Sequence, residues 1–219
     1  MIHKLEADGI VLDFGSRRIL SDVYIKCETG RVTGLLGSNG NGKSSLLNII
    51  YGTLGANSKS IRFDGTYVWK SYLVPGLIGY LTQFNFIPKN LTLQRVFSDF
   101  EVSYSEFEKL FPEFQDKYTA KVKTLSGGQL RLMEIYILLK SSAKFIFLDE
   151  PFTFLSRLLI EKVKELITEA ATHKGILVSD HQYREVIAIS DDLYLLSDGK
   201  IKLIKNLDEL GMMGYIKIQ

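Results

Sequence analysis

Gly37-Ser38-Asn39-Gly40-Asn41-Gly42-Lys43-Ser44 carries most of the information about the architecture of this chain. It satisfies the pattern G-x-x-x-x-G-K-[ST], in which glycines let backbone amides converge on phosphate oxygens. A helix leaving such a loop offers its positive N-terminal end to the same negative charge. On this reading Lys43 reaches the outer phosphates of a nucleotide and Ser44 holds Mg2+, with Gly37 to Gly42 and Ser45 lining the cradle. Asn-Gly pairs also mark flexible surface turns. Context separates the two readings. The apolar run Val32–Leu36 enters the loop as a strand, and Ser44–Tyr51 leaves it with helical spacing.

Downstream, Phe145-Ile146-Phe147-Leu148-Asp149-Glu150 sets four apolar residues before two acids. A buried strand ending in Asp can bring its carboxylate beside a phosphate loop to hold Mg2+, leaving Glu150 to polarise an attacking water. A strand followed by an acidic turn is common, so the pair gains its meaning from the phosphate loop upstream. Gly175–Ser179 is a second short strand of the buried parallel type. Between the two, Arg157–Ala171 repeats apolar residues at Leu159, Val163, Leu166, Ile167 and Ala170, an amphipathic helix. Strand, helix, strand makes a parallel crossover.

The remaining segments fill in around that unit. Val23–Lys26 and Arg31–Leu36 read as strands with Glu28-Thr29-Gly30 as the turn, and Ile61–Trp69 as a hairpin about Asp64-Gly65. Lys89–Thr124 lacks glycine, is rich in phenylalanine and charge, and reads as a helical insertion. The fold class expected is therefore α/β: a P-loop NTPase core with a mostly parallel sheet, an antiparallel β subdomain and a small helical subdomain.

A chain of 219 residues can bury a sizeable core and suits one domain with a modest insertion. A net charge of +2 gives no sign of a nucleic-acid surface, so no nucleic-acid partner is expected. Cys27 is the sole cysteine, which excludes an internal disulfide and fits a reducing compartment. No apolar run approaches the roughly 18 residues of a membrane span, and Glu6 and Asp8 interrupt any signal-like N-terminal segment. The expected location is cytoplasmic, with any membrane role exercised through a partner.

Phosphate loops serve many functions. Leu125-Ser126-Gly127-Gly128-Gln129, followed by an apolar helix, narrows the choice, because here the chain resembles the ABC ATPase family, whose signature motif reads this way. The resemblance spans nearly all of residues 1–219 as a single ABC ATPase domain, with the helical subdomain at about 86–124. It implies ATP and Mg2+ as ligands, a head-to-tail dimer with a second ABC ATPase subunit (a homodimer), and an integral membrane permease partner at the inner face of the cell membrane. It implies that Ser126, Gly127, Gly128 and Gln129 serve the partner subunit's ATP, a role that suits a helix N-terminus. It further implies that Gln83 touches Mg2+ with Ser44 and Asp149, that Glu150 and His181 are catalytic, and that Phe14 stacks on the adenine. Asp180-His181-Gln182-Tyr183-Arg184-Glu185 looks similar to the corresponding stretch of lipopolysaccharide-export and branched-chain amino-acid ATPases. The alternative within the family is a soluble ATPase of the iron–sulfur cluster assembly type.

One departure stands out. Phe154-Leu155-Ser156 lies where the family has a small residue, then Leu-Asp. Loss of that carboxylate is expected to alter communication between nucleotide sites rather than hydrolysis, since Lys43, Glu150 and His181 remain.

Overall fold

The computed structural model describes residues 1–215. In chain order its elements are β1 (Lys4–Phe14), β2 (Arg17–Glu28), β3 (Arg31–Leu36), α1 (Lys43–Tyr51), β4 (Ser58–Phe63), β5 (Thr66–Tyr67) and β6 (Ile78–Leu81). They continue as α2 (Leu93–Asp99), α3 (Tyr104–Leu110), α4 (Gly127–Lys140), β7 (Phe145–Asp149), α5 (Arg157–Ala171) and β8 (Gly175–Ser179). The last four are α6 (Tyr183–Ile189), β9 (Asp192–Ser197), β10 (Lys200–Ile204) and α7 (Asp208–Met212). This element order, with strands and helices alternating from β6 onward, agrees with the expected α/β class.

Two sheets divide the work. An antiparallel sheet runs β2-β1-β4-β5, and a six-stranded sheet runs β10-β9-β3-β8-β7-β6, parallel except for β10. Helix α1 is buried at Leu46, Leu47, Ile49 and Ile50, as a helix enclosed by other elements must be. Those side chains share one core with Leu5, Ile10 and Ile25 of the antiparallel sheet and Phe145 and Phe147 of the parallel one. The other face of the parallel sheet packs on α4, α5 and the insertion. Every residue from Leu130 to Leu139 of α4 is buried.

The sequence reading placed the first strand at Val23–Lys26; the ladder in fact begins at Arg17, and β1 precedes it. Strand β1 escapes a period-two reading because its register with β2 shifts between Ala7 and Leu12, around Gly9 at φ +60°. The hairpin at Asp64-Gly65 forms as expected but starts at Ser58 and ends at Tyr67 rather than Trp69. Of Lys89–Thr124, only α2 and α3, seven residues each, are α-helical. Pro112 and side-chain caps at Thr92 and Ser103 break the segment into short pieces. Its rings do form a core, with Phe97, Phe107, Phe111 and Phe114 buried around Tyr136 of α4. Phe84 does not join them and is 81% exposed.

Candidate nucleotide site

The sheet topology brings the motif residues together. In the parallel sheet β3 neighbours β8, β8 neighbours β7, and β7 neighbours β6. The chain leaves β3 into Gly37–Gly42, β6 into Gln83, β7 into Glu150 and β8 into Asp180-His181. Four loops thus leave the carboxyl ends of four adjacent strands on one edge, where open α/β sheets bind ligands.

The loop after β3 is shaped by backbone constraints. Gly37 has φ +152°, and a Cβ there would sit 2.6 Å from the Leu196 carbonyl oxygen, so no side chain fits. Gly40 and Gly42 are also left-handed, at φ +81° and +97°. The Lys43 ammonium, buried, donates to the carbonyls of Gly37 at 2.6 Å and Ser38 at 3.2 Å. Burial lowers its pKa, against the opposing pull of Asp149, Glu150 and Asp180. Asn41 donates its side-chain amide to the Leu196 carbonyl at 3.2 Å and its backbone N–H to the Ser38 carbonyl at 3.2 Å, which fixes the turn of the loop.

A cleft of about 500 Å³ lies over this loop, lined by Phe14, Asn39, Lys43, Ser44, Gln83 and Glu150 among others. Phe14 is 53% exposed, a ring edge of the cleft rather than a core residue. The Gln83 amide donates to Ser44 Oγ at 3.2 Å and to Glu150 Oε1 at 3.1 Å, so Gln83 bridges the loop and the acid. His181 Nδ1 lies 3.9 Å from Glu150 Oε2 and 3.2 Å from Asp180 Oδ1. Glu150 itself has φ +54°, rare for a side-chain-bearing residue, and is held by a hydrogen bond from its backbone N–H to the Ser179 carbonyl at 2.7 Å.

Asp149 lies at the floor, 2% exposed, with Oδ1 buried and without a hydrogen-bond partner. Burial pushes its pKa up to about 6, opposed by Ser44, Lys43 and Arg131. An orphaned buried carboxylate oxygen beside a serine hydroxyl and a glutamine amide fits a hard cation that takes oxygen ligands. Among the described residues there is no cluster of three His, Cys, Asp or Glu groups that could hold a metal. The single orphaned carboxylate of Asp149 beside Ser44 fits Mg2+, which commonly takes one or two carboxylates and completes its shell with phosphates and water.

This gives a stability prediction. For a carboxylate with a raised folded pKa, ionisation opposes folding: the cost is absent below the unfolded value of 3.8 and full above about 6. Asp149→Asn removes that cost. In metal- and nucleotide-free protein it should stabilise by up to about 2–3 kcal/mol at pH 7.5, roughly half that at pH 5, read by chemical denaturation. A destabilised variant at pH 7.5 would show that Asp149 is satisfied without a cation.

The signature residues lie elsewhere. Ser126 caps α4, its hydroxyl accepting from Gln129 N at 3.2 Å while Gln129 Oε1 accepts from Ser126 N at 3.1 Å. Neither they nor Gly127 and Gly128 line the cleft over Lys43. A Cβ on Gly128 would lie 2.6 Å from the Phe154 carbonyl oxygen, so the loop after Glu150 packs directly on this helix start. Phe154 is 77% exposed at φ +66°, and Ser156 caps α5 by accepting from Leu159 N at 3.4 Å.

Three residues at the site carry no motif. Arg17 lines the cleft beside Phe14. Asp180, fully buried, accepts from Phe152 N and Gln182 N, tying the loops after β7 and β8 together. Burial raises its pKa, opposed by those two amides. Tyr215 accepts from Gly37 N at 3.1 Å, satisfying the first amide of the phosphate loop.

Comparison with known proteins agrees with this geometry. The ABC transporter family model matches residues 20–153. The chain is 30% identical over 211 residues to an ABC transporter ATP-binding protein of Azorhizobium caulinodans, covering 90% of this chain and 75% of that relative. It is 29% identical to the lipopolysaccharide export system ATP-binding protein of Haemophilus influenzae, with 90% and 88% covered. Among solved structures, an ATP-binding cassette of an ABC transporter in its ADP conformation superposes with TM-score 0.73 at 27% identity, covering 91% of this chain and 89% of that one.

Proposed function

The chain belongs to the ABC transporter family as an ATP-binding, ATP-hydrolysing subunit, and we propose that two copies close head to tail over two Mg-ATP molecules to drive an integral membrane permease. One observation supports the dimer above others. The Ser126 helix start, a ready anion site, lies outside the cleft of its own chain and is free to meet a partner's nucleotide. Residues 1–219 act on this reading as one ATPase domain with about 86–124 as its helical subdomain.

Each residue then has a role within reach of its observed place. Phe14 stacks on the base, and the loop of Gly37, Ser38, Asn39, Gly40, Asn41 and Gly42, with Ser45, cradles the phosphates, which the Lys43 ammonium and the amides not already bonded to Tyr215 and Ser38 neutralise. Ser44, Gln83 and Asp149 hold Mg2+, which when bound offsets charge on the phosphate oxygens. Glu150 takes the proton of the attacking water; Gln83 and His181, hydrogen-bonded to or beside its carboxylate, orient it. His181, 48% exposed at its side chain, is open to the terminal phosphate. Ser126, Gly127, Gly128 and Gln129 contact that phosphate from the second subunit.

Among the described residues no helix is long and apolar enough to cross a membrane. Placement at the inner face of the membrane therefore runs through the permease. Purification of the tagged chain from gently solubilised membranes of its host tests this. The expected companion is a protein with several membrane spans; recovery of soluble cluster-assembly proteins alone would contradict the transport reading.

A further inference from the structure

Two charged side chains of α4 are buried where the motif residues leave them unexplained. Arg131 is 2% exposed and Glu134 is fully buried, one turn apart on the same helix. The Arg131 guanidinium donates to three carbonyls: Thr82 at 2.7 Å, Asp149 at 2.5 Å and Glu150 at 2.8 Å. Glu134 Oε1 accepts from the amides of Phe86 at 2.9 Å and Ile87 at 3.3 Å. The loop 82–87 that carries Gln83 is thus gripped on both sides by one helix. The same guanidinium grips the two acids at the end of β7.

These contacts all go to backbone. They fix where Gln83, Asp149 and Glu150 start, not what their side chains touch. Nothing in the phosphate loop is among them: neither Arg131 nor Glu134 bonds to any residue from 37 to 45. The helix that makes them opens at Ser126, so the anchor of the metal and water residues and the anchor of the signature are one rigid body.

We propose that Arg131 and Glu134 are positioning residues for hydrolysis: a backbone clamp on α4 that sets Gln83, Asp149 and Glu150 relative to one another and ties their placement to the signature end of the same helix. This rests on the roles given above to Gln83 and Glu150. Arg131 and Glu134 form no ion pair with each other, and Arg131 Nε and Glu134 Oε2 are buried without partners; two such charges cost desolvation and contribute little net stability. Geometry is a different matter, because displacement of about 1 Å at a reacting group can cost about 100-fold in rate.

The clamp is tested with Glu134→Met, which keeps the volume and removes the acceptor, and Glu134→Gln, which keeps an oxygen for both amides. Steady-state hydrolysis, nucleotide affinity and Mg2+ dependence are measured on folded protein of each. Glu134→Met should lower kcat by about tenfold or more, raise the Mg2+ requirement and change ATP affinity by less than about twofold. Glu134→Gln should restore kcat to within about threefold of the parent. Should Glu134→Met not fold, Arg131→Lys serves: a compact ammonium does not reproduce the planar fork that reaches Thr82 with one nitrogen and Asp149 and Glu150 with the other, and the same split of kcat from affinity is expected. Unchanged kcat in a folded disrupting variant, a loss that tracks only the folded fraction, or failure of Glu134→Gln to rescue would overturn the clamp. Glu150→Gln, measured alongside, separates the two readings. If it abolishes turnover while Glu134→Met and Arg131→Lys do not, the clamp alone falls; if it leaves turnover intact, the site assignment falls and the clamp with it.

Discussion

Glu150→Gln is expected to lower ATP turnover by about 10²–10⁴-fold while leaving nucleotide binding in place. The substitution keeps the shape of the side chain, so the Gln83 contact at 3.1 Å and the backbone bond to Ser179 can persist. What it removes is the ability to accept a proton from water beside the terminal phosphate. Asp149 cannot stand in, because it is buried beneath the cleft and does not line it. His181 cannot either on this account, since it lies on the far side of the Glu150 carboxylate from Gln83 and serves to orient. Turnover within about tenfold of the parent would mean that the base lies elsewhere.

Lys43→Ala should act earlier in the cycle, on binding. Its ammonium is the buried cation nearest the phosphate cradle and faces three carboxylates: Asp149, Glu150 and Asp180. Without it the phosphates lose charge-assisted hydrogen bonds and meet those carboxylates less well screened. A loss of about 2–3 kcal/mol, or roughly 30–150-fold in affinity, is expected by calorimetry. Lys43→Arg should not restore binding, because a planar fork does not fit the space closed by the Gly37 and Ser38 carbonyls. Affinity within about twofold of the parent in Lys43→Ala would remove Lys43 from the cradle.

What could be read from the sequence was what is encoded locally. The phosphate loop, the strand before it and the acids after β7 each occupy a few consecutive residues, and their spacing alone carries the chemistry. Gln83 and His181 could be singled out only through the family resemblance. Their meaning arises when β6, β7 and β8 align side by side and bring their ends to one edge. Arg131, Glu134 and Asp180 were illegible for the same reason in stronger form. Their partners lie 18 to 49 residues away along the chain for the Arg131 bonds to Asp149 and Thr82, and are backbone groups with no sequence signature. A charged pair inside an otherwise apolar helix was the available signal, since such groups are seldom buried without partners. Strand β1 was missed because its bulge at Gly9 breaks the alternation that reveals a strand.

Ser156 gains a local explanation from the structure. It caps α5, a task Ser and Asp perform about equally, so its hydroxyl preserves the helix start that an aspartate there would also provide. On the proposed dimer, the missing carboxylate would bear on contacts with the second subunit, where Phe154 is exposed beside the helix that Ser126 opens.

On the proposed head-to-tail arrangement, one chain supplies only half of each nucleotide site. The size and nucleotide content of Glu150→Gln protein, run by gel filtration with light scattering in Mg-ATP, test it most directly. The expected result is a species of two chains holding two ATP molecules, which returns to single chains when Ser126→Arg is added. A single chain that binds ATP fully and never pairs at any ATP concentration would contradict it.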